Sequence, residues 1–482
     1  MYLFVCRKLQ PKMKKASVLL FIISLTFISP MPVTAQAQAK TQVLIRNATV
    51  LTAVRGTLEN TDILIENGKI ARIGKDLKAA SNAKIIDGSG KFVSPGIIDA
   101  HSHTMMDAVN EFSYSVTSMA RIRDVLNPND ISIYRALAGG VTSANLLHGS
   151  ANAIGGQNSV VKFKYGKPVE EFLIADAPPG IKFALGENVK RTNFNPTPGA
   201  VPRYPRTRMG TMEVIRDAFV RARDYKKSWD DFRTKKMAVQ PRRDLELEPL
   251  VEILEGKRLV HAHGYRSDEH LNLLLLADEF GFKIASLQHA LEAYKIAPEI
   301  AKRGAGVSIF SDYWSYKLEA YDSIPYNAAI LWKAGANVSI NSDSDERMRR
   351  LNLDAAKVVK FGGVPEEDAL KMITINPAKQ LGIDKRTGSI EVGKDADIVI
   401  WTAHPFSVYA RPETTMIEGE IYFDRQQDIG KRAELQKERE TLEKLEVNRP
   451  PGADATGTTP PPIPKEKRRA DLDDAEDVGG NR

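Results

Sequence analysis

The sequence predicts an α/β protein: a (β/α)8 TIM-like barrel with a small composite β-sandwich domain that both chain ends build. Between residues 96 and 385, eight apolar strand-like runs alternate with longer helical segments. That alternation is typical of parallel βα units, and eight is the number of strands in a barrel. Residues 36–95 and 386–425 instead show short strands with period-2 alternation, and Asn67-Gly68 forms a hairpin-type turn between two of them.

Composition indicates an ordinary globular chain. Of the 482 residues, 42% are hydrophobic and 27% are charged, which excludes a fully disordered chain, a collagen and a polytopic membrane protein. The net charge of +7 would suggest an acidic partner. Five basic residues fall within the first 15 positions, however, and without residues 1–35 the chain has 63 basic and 61 acidic side chains. Most of the argument for a nucleic-acid or membrane-surface partner therefore disappears with residues 1–35, and we predict no nucleic-acid partner.

The first 35 residues resemble a secretory signal peptide. Basic residues precede an apolar run from Ala16 to Ile28, and Val33 and Ala35 place small residues at the two positions that a signal peptidase recognises. The apolar run is short compared with the roughly 20 residues that a membrane span needs. The sequence therefore predicts a periplasmic or secreted protein with no membrane span in the mature chain.

Cysteine usage limits the chemistry of the mature protein. Cys6 is the single cysteine and lies inside the predicted signal peptide. The mature chain can form no disulfide, thiolate metal site or cysteine nucleophile. Any bound metal must therefore be held by histidines and carboxylates.

Eight strands are predicted in the barrel region. The third could also be a surface hairpin. In chain order they are Ile97–His103, Val141–Leu147, Ser159–Phe163, Ile181–Glu187, Arg258–His263, Lys283–His289, Gly306–Phe310 and Asn337–Asp343.

Residues 426–482 are predicted to form a charged helix and a disordered, Pro-rich tail. Leu435, Leu442 and Leu445 make a narrow apolar seam on the helix. Such a seam would pack on the protein body or support weak self-association, so a homo-oligomer is one expectation.

Two histidines in the motif of residues 95–103, Pro-Gly-Ile-Ile-Asp-Ala-His-Ser-His, suggest a metal site. In a strand, residues two apart point to the same face, so His101 and His103 would face the barrel interior together. Two imidazoles so placed can bind one ion. The alternative is a pair of polar residues at a strand end.

Other predicted strands also end in ligand-type side chains. His261, His263, His289 and Asp343 occupy such ends, so five of the eight histidines lie at predicted strand termini. Scattered core histidines do not explain that concentration. Outside this set, His148 could touch substrate or make a structural hydrogen bond, whereas His270 and His404 are expected to be solvent-facing or to cap an element.

These residues resemble the amidohydrolase superfamily, in the branch of imidazolonepropionase-like and metal-dependent dipeptidase-like proteins. The resemblance covers roughly residues 41–425. It rests on the motif at 95–103, on the motif Gly-Ser-Ile-Glu-Val-Gly-Lys-Asp-Ala-Asp at 388–397, and on the order His-x-His, His, His, Asp between them.

The resemblance implies a mono- or binuclear metal centre. His101 and His103 would bind a first ion, and His289 and His261 a second, with His261 preferred over His263, which has the same strand parity. Asp343 would bind metal and shuttle the proton during catalysis. Many relatives bridge the two ions with a carboxylated lysine. Here Glu187, at the predicted strand end, is preferred as the bridging ligand over Lys182, although Glu187 could also be a helix cap or a surface residue.

The predicted function is that of an exported metal-dependent amidohydrolase, which hydrolyses a C–N bond in an amide or cyclic amide with one or two divalent ions. Zinc is the first choice, although manganese and iron suit the same ligands. A metallo-dipeptidase, an esterase or lactonase on the same scaffold, and a non-catalytic periplasmic binding module are the alternatives.

Several other residues could contact a small-molecule substrate. The small residues at 149–158 could let the backbone approach a ligand or simply form a tight loop, and Tyr313, Trp314 and Tyr316 could line the pocket or pack in the interior. Four arginines could attract a carboxylate or form a solvated face, namely Arg191, Arg203, Arg206 and Arg208.

Overall fold

The computed structural model of the chain describes residues 42–190 and 203–447. The predicted signal peptide, Arg191 and the predicted Pro-rich tail lie outside the described residues. The described strands are β1 Gln42–Leu51, β2 Thr57–Glu66, β3 Lys69–Gly74, β4 Lys84–Asp87, β5 Phe92–Pro95, β6 Ile97–Ser102, β7 Val141–Leu146, β8 Ile154–Gln157, β9 Ser159–Lys162, β10 Gly180–Ala184, β11 Leu259–Gly264, β12 Ile284–His289, β13 Gly306–Ile309, β14 Asn337–Ile340, β15 Ile398–Trp401, β16 Pro412–Ile417 and β17 Glu420–Asp424.

The α-helices of the same residues are mostly short, and the exceptions are α4 and α12. They are α1 Ile131–Ala138, α2 Val169–Phe172, α3 Gly186–Lys190, α4 Arg208–Arg233, α5 Leu247–Leu254, α6 Ser267–Phe280, α7 Ala297–Arg303, α8 Asn327–Lys333, α9 Leu351–Gly362, α10 Glu366–Lys371, α11 Ile375–Gln380 and α12 Arg425–Val447.

The largest sheet joins the two ends of the described chain. Its order is β17-β16-β15-β5-β1-β2-β3, with β4 also paired to β1. The link is antiparallel pairing of β15 with β5, in which Ile400 lies opposite Val93. These residues are buried in one apolar cluster with Ile45 and Met416, drawn from both ends. Burial of such side chains stabilises the sheet by about 1.5–3 kcal/mol each.

The predicted Asn-Gly hairpin is confirmed. Strands β2 and β3 pair antiparallel up to Glu66 opposite Lys69, with Asn67 and Gly68 in the turn between them. Both turn residues have positive φ, +51° for Asn67 and +80° for Gly68. Two-residue turns of this kind favour Asn-Gly because these residues tolerate the left-handed region.

The predicted barrel region contains two sheets and has a mixed α/β architecture. One has the order β14-β13-β12-β11-β10-β8 and the other the order β6-β7-β9. Each of the eight predicted strands overlaps an observed strand. Most pairings are parallel, but β9 runs antiparallel to β7, with Ser143 opposite Lys162, and β8 runs antiparallel to β10. The prediction located the third strand and missed its direction, because periodicity reports burial and not orientation.

The apolar core of this region lies between the strands and the surrounding helices. Phe183 on β10 and Phe219 on α4 pack with ring centroids 6.0 Å apart, and Phe219 stacks on Phe282 at 4.5 Å. The regular burial of one face of α4 explains why a helix rich in charged residues still docks on the sheet. No helix within residues 42–190 and 203–447 combines the length and apolar character of a membrane span. The residue boundaries of the two predicted domains stay a prediction.

Candidate metal centre

Three predicted ligands converge where strands of the barrel region end. The ligand atoms of His101, His289 and Asp343 all lie within 4.8 Å of one another. His101 is on β6, His289 ends β12, and Asp343 follows β14 by three residues. Carboxyl ends of parallel strands meet at one edge, which is why residues almost 250 positions apart in the chain can share one site.

Asp343 is the centre of the group. Its Oδ1 lies 3.2 Å from His101 Nε2 and 3.1 Å from His103 Nε2, and its Oδ2 lies 3.7 Å from His289 Nε2. The backbone is held in place as well, since the N–H of Asp343 donates to the carbonyl of His101 at 3.1 Å. The residue has φ +50°. This left-handed conformation turns the carboxylate towards the histidines as the chain leaves β14.

The tautomer of His103 is set by the hydrogen bond that its Nδ1 makes. Nδ1 lies 2.9 Å from the carbonyl oxygen of Leu147. A carbonyl can only accept, so Nδ1 carries the hydrogen, and in the neutral ring Nε2 presents a lone pair. That lone pair faces a carboxylate oxygen, and two such acceptors are compatible at this distance only with a proton or a cation between them.

Asp99 anchors this edge and was missed by the sequence prediction. It is buried and accepts hydrogen bonds from the N–H of His101 at 3.2 Å and the N–H of Ser342 at 3.1 Å, and from the Ser342 hydroxyl. It therefore ties β6 to the segment that carries Asp343. Burial raises the pKa of Asp99 to about 7, against the effect of these hydrogen bonds. The sequence feature that could have identified Asp99 is its position two residues before His101, on the same face of the strand.

The structure places Lys182, not Glu187, beside the cluster. Lys182 is buried on β10 opposite His261, with Nζ 3.3 Å from His101 Nε2 and 3.1 Å from the carbonyl of His148. Strand β10 ends at Ala184, so Glu187 falls in α3, where its N–H donates to the Glu319 carboxylate. The preference for Glu187 assumed that the strand extends to this residue, whereas Lys182 occupies the position beside the histidines; which of the two bridges the ions stays a prediction.

His261 and His263 both remain candidate ligands. His261 Nδ1 lies 2.8 Å from the Ser286 hydroxyl, and its Nε2 is buried with no hydrogen-bond partner among the described residues. Both ring nitrogens of His263 are likewise buried and unsatisfied by any described residue. The His263 ring lies 4.7 Å from that of His289. The choice of His261 therefore stays a prediction.

The electrostatics favour neutral imidazoles at His101, His261 and His263 and a carboxylate anion at Asp343. Burial, together with the positive charge of Lys182, lowers the pKa of His261 to about 3 and holds the pKa of His101 well below its usual value. Burial alone would raise the pKa of Asp343, but charge on His289 and the contact with His103 bring it below its usual value. Neutral histidine and ionised aspartate are the forms that bind divalent ions.

The donor set therefore fits a divalent first-row metal ion. Nitrogen and oxygen ligands are brought within one ion's reach, and His261 and His263 carry buried nitrogens that nothing described satisfies. Leaving buried polar groups unmatched costs about 1–3 kcal/mol each. Binding an ion would remove that cost.

Aromatic side chains form one wall beside the cluster. Phe310 stacks on His289 at 4.6 Å, and Tyr313 packs edge-on against Phe310 at 4.4 Å. Tyr265 lies 5.6 Å from the His289 ring and accepts a hydrogen bond from the Tyr316 hydroxyl at 2.7 Å. Tyr313 and Tyr316 thus pack near the cluster against Phe310 and Tyr265, and the sequence pattern did not indicate the latter two.

Trp314 and His148, which the sequence offered as possible substrate contacts, contact other protein groups in the structure. Trp314 packs against Phe361 at 5.6 Å and is 39% exposed. His148 uses both nitrogens locally, since Nδ1 lies 2.9 Å from the Gly149 carbonyl and Nε2 accepts from the N–H of Glu111 at 2.8 Å. A Cβ added at Gly155 would lie 2.8 Å from the His148 ring. The small residues of this loop therefore make room for a structurally bonded histidine.

The remaining histidines differ from one another. His404 is partly buried, and its Nδ1 accepts from the N–H of Phe406 at 3.3 Å, which is a capping role. His270 is fully buried on α6. The expectation that His270 faces solvent is therefore wrong, because His270 lies three and four residues before Leu273 and Leu274 and shares their buried face of α6.

Two of the predicted arginines bind protein groups. Arg203 donates to backbone carbonyls of the 112–114 segment, including that of Tyr114 at 2.7 Å. Arg208 donates to Glu319 at 2.9 Å and lies 3.3 Å from Glu269. Arg206 is exposed. Arg203 and Arg208 thus hold loops together near the strand ends.

Comparison with known proteins identifies the family. The crystal structure of an amidohydrolase from Thermotoga maritima MSB8 is 36% identical to this chain with a TM-score of 0.73, over 80% of this chain and all of that one. The chain belongs to the amidohydrolase family. The family model "Amidohydrolase family" matches residues 322–422 of this amidohydrolase, the segment that contains Asp343 and the late glycine motif.

Two curated proteins show the same relationship. The amidohydrolase tasK of Hapsidospora irregularis is 34% identical over 429 residues, which is 79% of this amidohydrolase and 43% of that protein. The imidazolonepropionase of Thermoplasma volcanium is 26% identical over 358 residues, 71% of this chain and 84% of that one. The chain thus spans less than half the length of the first of these relatives. The resemblance read from the sequence motifs is confirmed.

Proposed function

We propose that this amidohydrolase hydrolyses the C–N bond of a small-molecule amide or cyclic amide at a divalent metal centre, with zinc as the ion. The observation that carries the proposal is the convergence of His101, His103, His289 and Asp343, with the His103 lone pair aimed at a carboxylate oxygen. The names of the relatives, amidohydrolase and imidazolonepropionase, support C–N chemistry.

We further propose that the two sheets of the barrel region form a closed (β/α)8-type barrel. Two backbone hydrogen bonds support this. The Asp343 N–H donates to the His101 carbonyl at 3.1 Å, and the Ile98 N–H donates to the Ile373 carbonyl at 2.9 Å, so the segments after β14 meet β6. The similarity to the Thermotoga maritima structure agrees with such a fold.

The proposed ligand assignment is the one that the family resemblance implies, and the proximity of His101, His289 and Asp343 supports it. His101 and His103 would hold one ion, His289 and His261 or His263 a second, and Asp343 would contact metal through its carboxylate. Lys182, beside His101, would serve as the bridging ligand only as a carbamate, formed when its neutral amine adds CO2 and releases a proton. A divalent ion in this position supplies an activated water as nucleophile at neutral pH and polarises the carbonyl of the substrate.

Residues of this chain accept the proton and deliver it. Asp343 is kept ionised and is fixed by its backbone hydrogen bond to His101, so its carboxylate can accept a proton from the attacking water and deliver it to the departing nitrogen. Asp99 keeps the two segments in register. The wall of Phe310 and Tyr265 limits water access on one side of His289.

The activity is tested by assaying a panel of amides, cyclic amides, dipeptides and esters with enzyme purified without chelator. We expect turnover of amides or cyclic amides that stops on removal of metal and returns on its addition. Preference for dipeptides or esters would reassign the reaction on the same scaffold. Loss of biological function on deletion of residues 430–482 but not in Asp343→Asn would indicate a binding module instead.

We also propose that the protein is exported to the periplasm or secreted. The support is the pattern of residues 1–35, basic and then apolar with small residues before the proposed cleavage after Ala35. Cell fractionation and N-terminal sequencing of the recovered protein test this directly. A cytoplasmic protein that retains residues 1–35 would contradict it.

A further inference from the structure

The loop between α4 and α5 combines unpaired positive charge with exposed apolar side chains. We call residues 235–245 the basic loop, with sequence Lys-Lys-Met-Ala-Val-Gln-Pro-Arg-Arg-Asp-Leu. It carries four cations and one anion, a formal charge of +3. The whole chain without its predicted signal peptide has only +2. The basic loop therefore has a local excess of positive charge.

Three of the four cations lack a counter-ion. Arg243 pairs with Glu248 at 2.7 Å. Lys235, Lys236 and Arg242 are exposed and form no ion pair with any residue that the structure describes. The acids at the end of α4 are already occupied, because Asp230 binds Lys226 at 2.8 Å and Asp231 binds Lys227 at 2.6 Å.

Apolar side chains stand among these cations. Val239 is 75% exposed, Leu245 60% and Met237 38%. A cleft of about 610 Å³ adjoins the loop, and Arg242, Leu245 and Met119 line it. The basic loop itself contains no aromatic side chain on which a nucleic-acid base could stack, and Tyr225, which also lines the cleft, is held by a hydrogen bond from the Asp244 N–H at 3.1 Å. Cations that flank aliphatic side chains instead match a phospholipid surface, where the charges meet phosphate groups and the aliphatic groups enter the acyl boundary.

The loop is remote from the candidate metal centre. Arg208, at the start of α4, contacts Glu319 and Glu269 near the strand ends, whereas the loop follows Arg233 at the other end of the helix. A helix of this length spans roughly 38 Å. Binding through the loop would therefore leave the centre accessible.

We propose that the basic loop docks this protein on an anionic phospholipid surface. Lys235, Lys236 and Arg242 bind the headgroup phosphates, and Val239 inserts at the acyl boundary. This contact is independent of the proposed hydrolysis, and either can fail alone.

The test is co-sedimentation of the full chain with vesicles of phosphatidylcholine, with or without one quarter phosphatidylglycerol. We expect binding only to the anionic vesicles and release at 1 M salt. The variant Lys235→Gln/Lys236→Gln/Arg242→Gln should bind on the order of 100-fold more weakly, about fivefold for each cation removed. The control Lys84→Gln/Lys302→Gln/Lys360→Gln removes three exposed cations that are also outside any described ion pair, and should lose less than threefold.

The apolar contact is tested separately with Val239→Ser, for which we expect weaker binding by several-fold. The control is Val408→Ser, at a residue 64% exposed outside the loop, which should bind as the parent does. Equal binding to neutral vesicles, or equal losses in the two charge variants, would overturn the proposal. So would an unchanged Val239→Ser, or loop-dependent binding of single-stranded DNA tighter than that of anionic vesicles. Thermal unfolding of each variant verifies that it is folded.

Discussion

His103 directs Nε2 at Asp343 Oδ1, 3.1 Å away, while its Nδ1 hydrogen is committed to the carbonyl of Leu147. The two residues are 240 positions apart, and the ends of two strands bring them together. Two acceptors facing each other at this distance are stable only around a positive charge.

Asp343→Asn should lower kcat by about 10²–10⁴-fold, because an amide cannot accept the proton that the carboxylate takes. The variant should keep much of its metal, since the histidine ligands are intact. Steady-state kinetics and metal analysis of the same preparation measure both quantities. Asp224→Asn, at an exposed acid on α4, is the matched control and should retain full activity. Unimpaired turnover in Asp343→Asn would remove Asp343 from the reaction.

Lys182→Gln should reduce bound metal by about one equivalent, because this side chain, 3.3 Å from His101, is the bridging candidate. Glu187→Gln is the comparison, and its metal content should match that of the parent protein. Elemental analysis after dialysis against metal-free buffer distinguishes the two variants. Metal loss in Glu187→Gln with retention in Lys182→Gln would restore the original preference for the glutamate.

His261→Ala should weaken metal affinity by at least about 10–100-fold. Loss of a residue that only hydrogen-bonds to a metal ligand already lowers affinity by that factor, and loss of the ligand itself should lower it no less. His263→Ala should have a smaller effect. Titration of metal-free protein with zinc, followed by calorimetry, gives both affinities. If His263→Ala has the larger effect, His263 and not His261 is the ligand that binds the second ion with His289.

The sequence could predict the features of the fold and the site that local residue patterns determine, but not those that packing in three dimensions determines. The strand that carries His101 and His103 was predictable because apolar periodicity and residue parity are local properties. The Lys182 position was not, because it required knowing that β10 ends at Ala184 and not at Glu187. Strand ends are set by packing and turn geometry, here the turn at Gly186 with φ +81°.

Strand orientation was also beyond the local pattern. The antiparallel direction of β9 depends on which strand pairs with it in three dimensions. Asp99 was overlooked because its role is to accept hydrogen bonds from Ser342, more than 240 residues away. The domain boundaries and the export signal stay predictions.

Glu269→Gln should reduce the loss of stability with rising pH. Burial and the nearby charge of Glu319 raise the pKa of Glu269 to about 7, from an ordinary value near 4.5. A carboxyl whose pKa is raised on folding stabilises the protein below its unfolded pKa, and this contribution is lost as pH rises towards 7.

Urea unfolding at pH 5 and pH 8 measures the effect. The difference between these free energies of unfolding should be about 1–3 kcal/mol smaller in Glu269→Gln than in the parent. Glu279→Gln, at a residue 48% exposed on the same helix, should behave as the parent protein does. An identical pH dependence in parent and Glu269→Gln would show that Glu269 is not protonated on folding.

The central claim is that His101, His103, His289 and Asp343 hold a divalent metal ion. Metal analysis of protein purified without chelator tests it most directly, with the variant His101→Ala/His103→Ala beside it. We predict one to two equivalents of divalent metal per chain in the parent protein and at least one equivalent fewer in the double variant. A metal-free parent that is folded and active, or full metal content in the double variant, would contradict the account.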